Sequence, residues 1–395
     1  MQQETTKLSQ IRTFDDFTDY LFTDPDTASR RENLGLYVQS RMLPIDRKNH
    51  QIVGEAIAPS KDKADAYRQR LNRVVLAKWK TEQVRDQLWQ LAHQLLPQAS
   101  AWIIDSTGLP KKGNKSVGVG WQYCGQLGKT ANCQVVTSLH LATSKSSLPL
   151  AMDLYLPKKW ANDEQRRREA KIPDEIEFRT QYQIGLDQID AIVEAGFPQK
   201  VVVADSGFGK HSNFRNGLIE RGLDYVVAIH PNATVRPVNS PGGLPAESIN
   251  VVELAKKLPQ KAFRTVSWRT GSKGELSSRF AALRVEASKQ PGVEQWLLIE
   301  WPIGSKEPVG LWLSNLNPRT SLKRLVRLAH LRWRIERDYQ DMKQELGLGD
   351  YQGRTWPGFH HHLTLCMAAL YYLALHRRVF PPEPCSITGG NSAQS

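Results

Sequence analysis

Apolar residues along the chain are spaced so as to divide it into a helical start, a strand-rich middle and a helical close. From residue 12 to 95 they recur every three or four positions, as in "DAYRQRLNRVVLAKWK" and "TEQVRDQLWQLAHQLL". That is the repeat of helices with one face turned to a core. Thr13 ahead of "FDDFTDYLF" has the chemistry of an N-cap followed by first-turn acids, and Pro97 closes the run. At "AWIID" the repeat changes to a continuous apolar strand ending in Asp105, and "STGLPKKGNKSVGVG" reads as a loop by its Gly, Pro and Lys content. "CQVVTSLHLA" (133–142) and "LPLAMDLYLP" (148–157) are two more strands joined by a turn at Ser144 to Ser147, so a three-stranded antiparallel meander is predicted.

After a polar, basic segment, "PDEIEFRTQYQIGLDQIDAIVEAG" predicts a helix. Asp174 is its cap, Phe178, Tyr182, Ile189 and Val193 line one face, and Gly196 is its stop. "KVVVAD" (200–205) is a buried strand ending in Asp205, "HSNFRNGLIERG" a short helix, and "DYVVAIH" (224–230) a further strand. The order is β-β-β-α-β-α-β, an α/β core. Residues 231–316 are rich in Gly, Pro and short strand-like runs and read as a mostly β insertion. Helix returns at "TSLKRLVRLAHLRWRIERDYQDMKQELG" and "HHHLTLCMAALYYLALHRR", and the tail from Pro381 has the composition of disorder. The expected units are a helical 1–97, a core in two parts (98–230 and 317–380) around the insertion, and a disordered 381–395.

Charge narrows the function classes. Fifty-three Lys and Arg against forty Asp and Glu give a net +13, which points to a polyanionic partner, nucleic acid first. Cys124, Cys133, Cys366 and Cys385 lack CxxC spacing, so neither a zinc site nor a disulfide framework is indicated. The polar amino terminus has no signal-peptide run, and the longest apolar stretch, Leu363 to Leu375, is too short to span a bilayer. A cytoplasmic, nucleoid-associated protein is expected, with no membrane partner.

The candidate chemistry lies in three acids. "IIDSTG" and "VVADSG" each end an apolar strand in an Asp followed by Ser. If those strands are neighbours, two carboxylates stand side by side and need a cation to offset their repulsion. A third acid from a late helix would complete a set of hard oxygen ligands for Mg²⁺, with Mn²⁺ able to substitute. Two such ions about 3.5–4 Å apart suit phosphodiester displacement. Glu336 fits, because Arg332 lies four residues before it and Lys343 seven after, close to one helical stripe. Its carboxylate would face the metals while Arg332 and Lys343 hold phosphates. Read alone, the stretch is also a solvated helix with i,i+4 ion pairs. Asp338, Asp341 and Glu345 are alternative third acids that project off the stripe. His360, His361 and His362 cannot all face one ion and read as a packed or DNA-facing cluster. Lys111 and Lys112 follow the first acid in a position to meet a DNA backbone. Lys158, Lys159 and Arg166 to Arg168 form a second basic patch, and Arg319, Lys323, Arg324 and Arg327 lead into the third-acid helix.

This pattern resembles the DDE transposases of bacterial insertion sequences, whose core is RNase H-like. R332-x3-E336-x6-K343 resembles their Tyr-Arg-Glu-Lys motif, and "DSTGLPKKG", "QYCGQLGK" and "FHHHLTLCMAALYYL" are similar to one branch of that superfamily. The motif's tyrosine position is Ala329 here, with His330 beside it, so that phosphate contact is absent or comes from another group. The resemblance covers about residues 100 to 375. It implies an RNase H-like mixed sheet flanked by helices, with Asp105, Asp205 and Glu336 as catalytic metal ligands and Lys111, Lys112, Arg332 and Lys343 on DNA. It further implies cleavage of element ends, joining of 3′-hydroxyls to target DNA, and a homodimer on double-stranded DNA. It also implies an aromatic of the β insertion stacked on a flipped base, with Trp268, Trp296, Trp301 and Trp312 as candidates. Two other readings stay open: a nuclease or resolvase that does not join, and a non-catalytic DNA-binding derivative.

Overall fold

Residues 8–23, 28–238, 247–271 and 274–379 are described in this computed structural model; the tail 381–395 lies outside them. Helix α1 (Phe14–Leu21) opens on a capping box, in which Thr13 Oγ1 accepts from the Asp16 amide and the Asp16 carboxylate accepts from the Thr13 amide. Then come α2 (Ala28–Arg41), α3 (His50–Ile57), α4 (Ala64–Leu76) and α5 (Thr81–Leu95). Their apolar faces close on the last helix, Trp356–Val379, which is buried along most of its length. Tyr372 meets Phe14 edge-on at 5.1 Å, His361 stacks on Trp79 at 4.2 Å, and His362 Nδ1 lies 2.9 Å from the Tyr37 hydroxyl. The three histidines are thus packed within the protein. No helix among the described residues is long and apolar enough to cross a membrane.

The middle of the chain builds one mixed sheet. Its strands are β1 (Ala101–Pro110), β2 (Gly120–Cys124), β3 (Lys129–Ala142), β4 (Ser147–Leu154), β5 (Val201–Ala204), β6 (Tyr225–Ala228), β7 (Thr234–Pro237), β8 (Ile249–Asn250), β9 (Arg264–Gly271), β10 (Gly274–Ala287), β11 (Glu294–Glu300) and β12 (Gly310–Ser314). The order is β2-β3-β1-β5-β6-β12-β11-β10-β7-β8, with β4 on β3 and β9 on β10. β1, β5 and β6 are parallel, and β3 runs antiparallel to β1, which is the RNase H-like arrangement expected. The strands of 231–316 form no sheet of their own. β12 pairs with β6, so they continue the core sheet without interruption.

Between strands lie α6 (Lys158–Ala161), α7 (Glu164–Glu169), α8 (Gln181–Glu194), α9 (Ser206–Gly209), α10 (Ser212–Glu220) and α11 (Val251–Lys257). After β12 come α12 (Leu322–Ala329), α13 (Trp333–Gln340) and α14 (Trp356–Val379). Several boundaries differ from expectation. β1 does not stop at Asp105, because Ser106–Pro110 pair on with β3, and burial of Thr107 and Leu109 outweighs their neighbours' loop-forming tendency. β2 begins at the last residue of the predicted loop and runs through Trp121–Cys124, for which no element was predicted. β3 begins four residues earlier, at Lys129, and β4 ends three residues earlier, at Leu154. α8 is capped by Thr180 in a box with Gln183, not by Asp174, so Phe178 stands ahead of the helix. Gly196 does close it, in the left-handed region at φ 82°. The late helix is not continuous: His330–Arg332 tighten into a 3₁₀ turn between α12 and α13, and Asp341–Glu345 widen into a π turn.

Candidate active site

The sheet opens at the acids. β1 and β5 pair through Ile104 and Ala204, so Asp105 and Asp205 are the first residues beyond the paired strands, on neighbours about 4.8 Å apart. Asp105 stays paired with Ser138 of β3 on its other side, which fixes its backbone. Asp205 caps α9, its Oδ1 accepting from the Phe208 amide at 3.2 Å. Asp105 Oδ1 accepts from the Ser106 amide at 2.7 Å. Burial, and then the charge of Asp205, push the Asp105 carboxyl up to about 6, against the pull of Arg332.

Arg332 sits at the centre of the constellation. Its guanidinium donates to Asp105 Oδ2 and to Glu336 Oε1, each at 2.8 Å. Burial works against this charge, and Asp105, Glu336 and Asp205 outweigh it, so the Arg332 pKa is raised. The 3₁₀ turn aims Arg332 down at β1 while α13 carries Glu336 one turn on. Lys343, on the π turn, is half-buried. Burial lowers its pKa, and Cys124, Asp105 and Cys133 are the neighbours that oppose the fall. Asp105, Asp205, Arg332, Glu336 and Lys343 therefore converge on one place. The other acids of this segment do not: Asp338 Oδ2 accepts from Ser147 and faces His140, and Asp341 pairs with Arg337 at 2.9 Å.

Among the described residues no three His, Cys, Asp or Glu groups are drawn together tightly enough for a metal ion. The reason is visible in Glu336, whose side chain is 60% exposed and held on the outer side of the Arg332 guanidinium. The donor set still fits a hard divalent cation: two repelling carboxylates at adjacent strand ends, with a third carboxylate tethered to Asp105 through the Arg332 guanidinium. The guanidinium stands where positive charge is needed.

The lysines expected on DNA part company. Lys111 turns inward, its Nζ donating to the carbonyls of Gly349 at 2.9 Å and Tyr351 at 2.7 Å, and burial brings its pKa down to about 8. It ties the β1 end to the loop before α14 and is not a free backbone contact. Lys112 is exposed, as are Arg319 just before α12 and Lys323, Arg324 and Arg327 along it.

Two features were missed from sequence. A cleft of ≈ 470 Å³ beside the acids is lined by Asp205, Arg332, Trp312, His330 and Trp333 among others. Trp333 is gripped between Arg269, 3.6 Å over its ring, and Arg334, and Trp268 stacks on His330 at 4.1 Å. The second is a buried polar chain. His140 joins Asp338 (2.9 Å) to Ser138 (2.9 Å), and Ser138 meets the Tyr339 hydroxyl at 2.6 Å. Ser138 and His140, two apart in an otherwise apolar strand, were the available signal: buried polar groups on a strand need partners.

Comparison with known proteins agrees with this geometry. Residues 16–275 match the family described as "DDE superfamily endonuclease", a span that takes in Asp105 and Asp205 and ends before Glu336. The chain is also similar to the "Probable transposase for insertion sequence element IS701" of Microchaete diplosiphon, 27% identical over 289 residues, covering 71% of this chain and 67% of that protein. With its acids at the opened end of an RNase H-like sheet and the family match extending over more than half its length, this chain belongs to the DDE superfamily endonucleases.

Proposed function

We propose that the protein is an insertion-sequence transposase that cuts DNA at element ends and joins the freed 3′-hydroxyl to target DNA. The observation that supports the reading is Arg332 bridging Asp105 and Glu336 next to Asp205, since it ties the helix acid to one of two neighbouring strand-end acids, an arrangement suited to phosphodiester chemistry. The named relative, a probable insertion-sequence transposase, supports it from outside. Asp105, Asp205 and Glu336 would hold divalent cations, Mg²⁺ or Mn²⁺, which when bound supply Lewis acidity to the phosphoryl oxygen and an activated water or hydroxyl. The chain's own part is positioning. The fork between β1 and β5 sets the two Asp, the 3₁₀ turn aims Arg332, and Lys343 adds positive charge under the site. A phosphodiester entering the cleft competes for the Arg332 guanidinium, which bonds phosphate oxygens in pairs as readily as carboxylates. Bringing two element ends together calls for two copies of the chain on DNA.

The test is cleavage of a labelled duplex carrying an element end, in Mg²⁺, Mn²⁺ or EDTA, by wild type and Glu336→Gln. Metal-dependent cutting lost in the variant with DNA binding retained is the expected result. A variant that cuts as well as wild type would overturn Glu336 as third acid. Cutting without joining of pre-cleaved ends would make the protein a nuclease.

A further inference from the structure

The hairpin of β2 and β3 leaves an unusual surface open. Trp121 is 78% exposed and Tyr123 69%, and Leu127 at the tip is also exposed; these are three of the six large apolar side chains left in solvent among the described residues. Trp121 and Tyr123 are two apart on one strand, so their rings share a face. β2 stands at one end of the sheet order. A soluble chain normally covers adjacent exposed aromatics with a partner.

The charge around them says which partner. From residue 106 through residue 152 the sequence has no Asp or Glu, and it carries Lys111, Lys112, Lys115, Lys129 and Lys145. Of these, Lys112, Lys115 and Lys129 are exposed on the hairpin and the loop that feeds it. Asp163 and Glu169 share a cleft with Lys115, while Lys112 and Lys129 are exposed beside the aromatics. Aromatic faces set beside exposed lysines are the makings of a stacking platform for unpaired bases, the cations following the backbone while the rings take the bases.

The hairpin is also anchored close to the acids. Cys124, next to Tyr123, packs over Gly108 of β1, where a Cβ would lie only 2.8 Å from its sulfur, so glycine is required for this approach. Gly108 is three residues beyond Asp105, about 10 Å along the strand. Lys343 lies beneath, with Cys124, Cys133 and Asp105 around its ammonium.

We propose that the β2–β3 hairpin binds a single-stranded segment of DNA beside the catalytic acids, with Trp121 and Tyr123 stacking on its bases and Lys112, Lys115 and Lys129 on its phosphates. The inference rests on the DNA-processing reading above and deepens it, adding a requirement for unpaired nucleotides near the cut.

The experiment compares the full-length wild type, Trp121→Ala/Tyr123→Ala and Trp121→Phe/Tyr123→Phe. The probes are a labelled oligothymidylate and a labelled duplex of equal length, read by fluorescence anisotropy over a range of salt. The Ala pair is expected to lose on the order of 10-fold or more in single-strand affinity, with duplex affinity and salt dependence unchanged, and the Phe pair to keep wild-type binding. Circular dichroism and sedimentation velocity are run on all three. Equal loss on both probes, no loss on the single strand, or loss in the Phe pair overturns the proposal. So does conversion of a wild-type dimer to a monomer in the Ala pair, which would give the surface to a second copy. Wild type binding neither probe sinks the DNA reading itself, whereas wild type binding both with an unaffected Ala pair sinks only the stacking platform.

Discussion

Asp105 is held in a place that disfavours its own charge, and the balance can be measured. Its folded pKa of about 6 lies above the ordinary 3.8, so the folded protein keeps a proton that the unfolded chain releases. Stability from this group is therefore greatest at low pH and falls as pH rises through that window. Asp105→Asn, which cannot ionise, is expected to melt higher than wild type at pH 7.5, with the gap closing near pH 4. A lower melting temperature at pH 7.5 would mean that the bond to Arg332 outweighs burial and repulsion. The same shift predicts that divalent-cation binding weakens as pH falls through about 6, because proton and cation then compete for the Asp105 carboxyl; titration of Mn²⁺ binding against pH checks this. Lys111 and Lys112, adjacent in sequence, separate in role. Lys111→Met strips the carbonyls of Gly349 and Tyr351 of a shared donor and is expected to cost about 1–3 kcal/mol of stability in denaturant melts. Lys112→Ala should leave stability alone and reduce the salt slope of DNA binding by about 1. Sequence could name both lysines but not tell them apart, since the inward turn of Lys111 depends on carbonyls more than two hundred residues away.

The element that carries Glu336 toward Asp105 is α13, with its two irregular ends. A regular helix through 322–345 would place Arg332, Glu336 and Lys343 near one stripe, which is the spacing that singled them out. The 3₁₀ and π turns were not legible, because they answer to packing against β1 and β3 rather than to local propensity. What holds α13 in rotation is the buried chain from Asp338 through His140 and Ser138 to Tyr339, which links the helix of Glu336 to the strand paired with Asp105. His140→Leu leaves Asp338 and Ser138 each short of a partner and is expected to destabilise by about 1–3 kcal/mol per group. It should also lower the cleavage rate with little change in DNA affinity. Equal activity at a lower melting temperature would confine the chain to a structural role. The strand that carries Asp205 and its neighbour β6 were legible from their apolar runs. The continuation of β1 past Asp105 was not, because Ser, Thr, Gly and Pro are strand residues here only by virtue of β3 alongside.

At the scale of the whole molecule, the amino-terminal helices and α14 are one packed body. The apolar stripes of 12–95 could be read from sequence, but their partner, some three hundred residues downstream, could not. Deleting residues 1–97 uncovers Tyr372, His361 and their neighbours on α14, and the truncated chain is expected to aggregate on size exclusion rather than run as a stable core. A soluble, cooperatively melting truncation would instead make those helices an independent module. The sheet carries a different consequence. Hydrogen bonds run without a break from β3 beside Asp105, through β6 and β12, to β10 at the far side. Amide protons in β6, β12 and β11 should then exchange with deuterium through one shared opening event, not as separate halves. A body whose ladder has no break between the strands beside Asp105 and the distal ones resists closing around a partner like a hand. A duplex that touches both has to be the partner that bends, and flexible pyrimidine–purine steps at the points of bending would make that bend least costly.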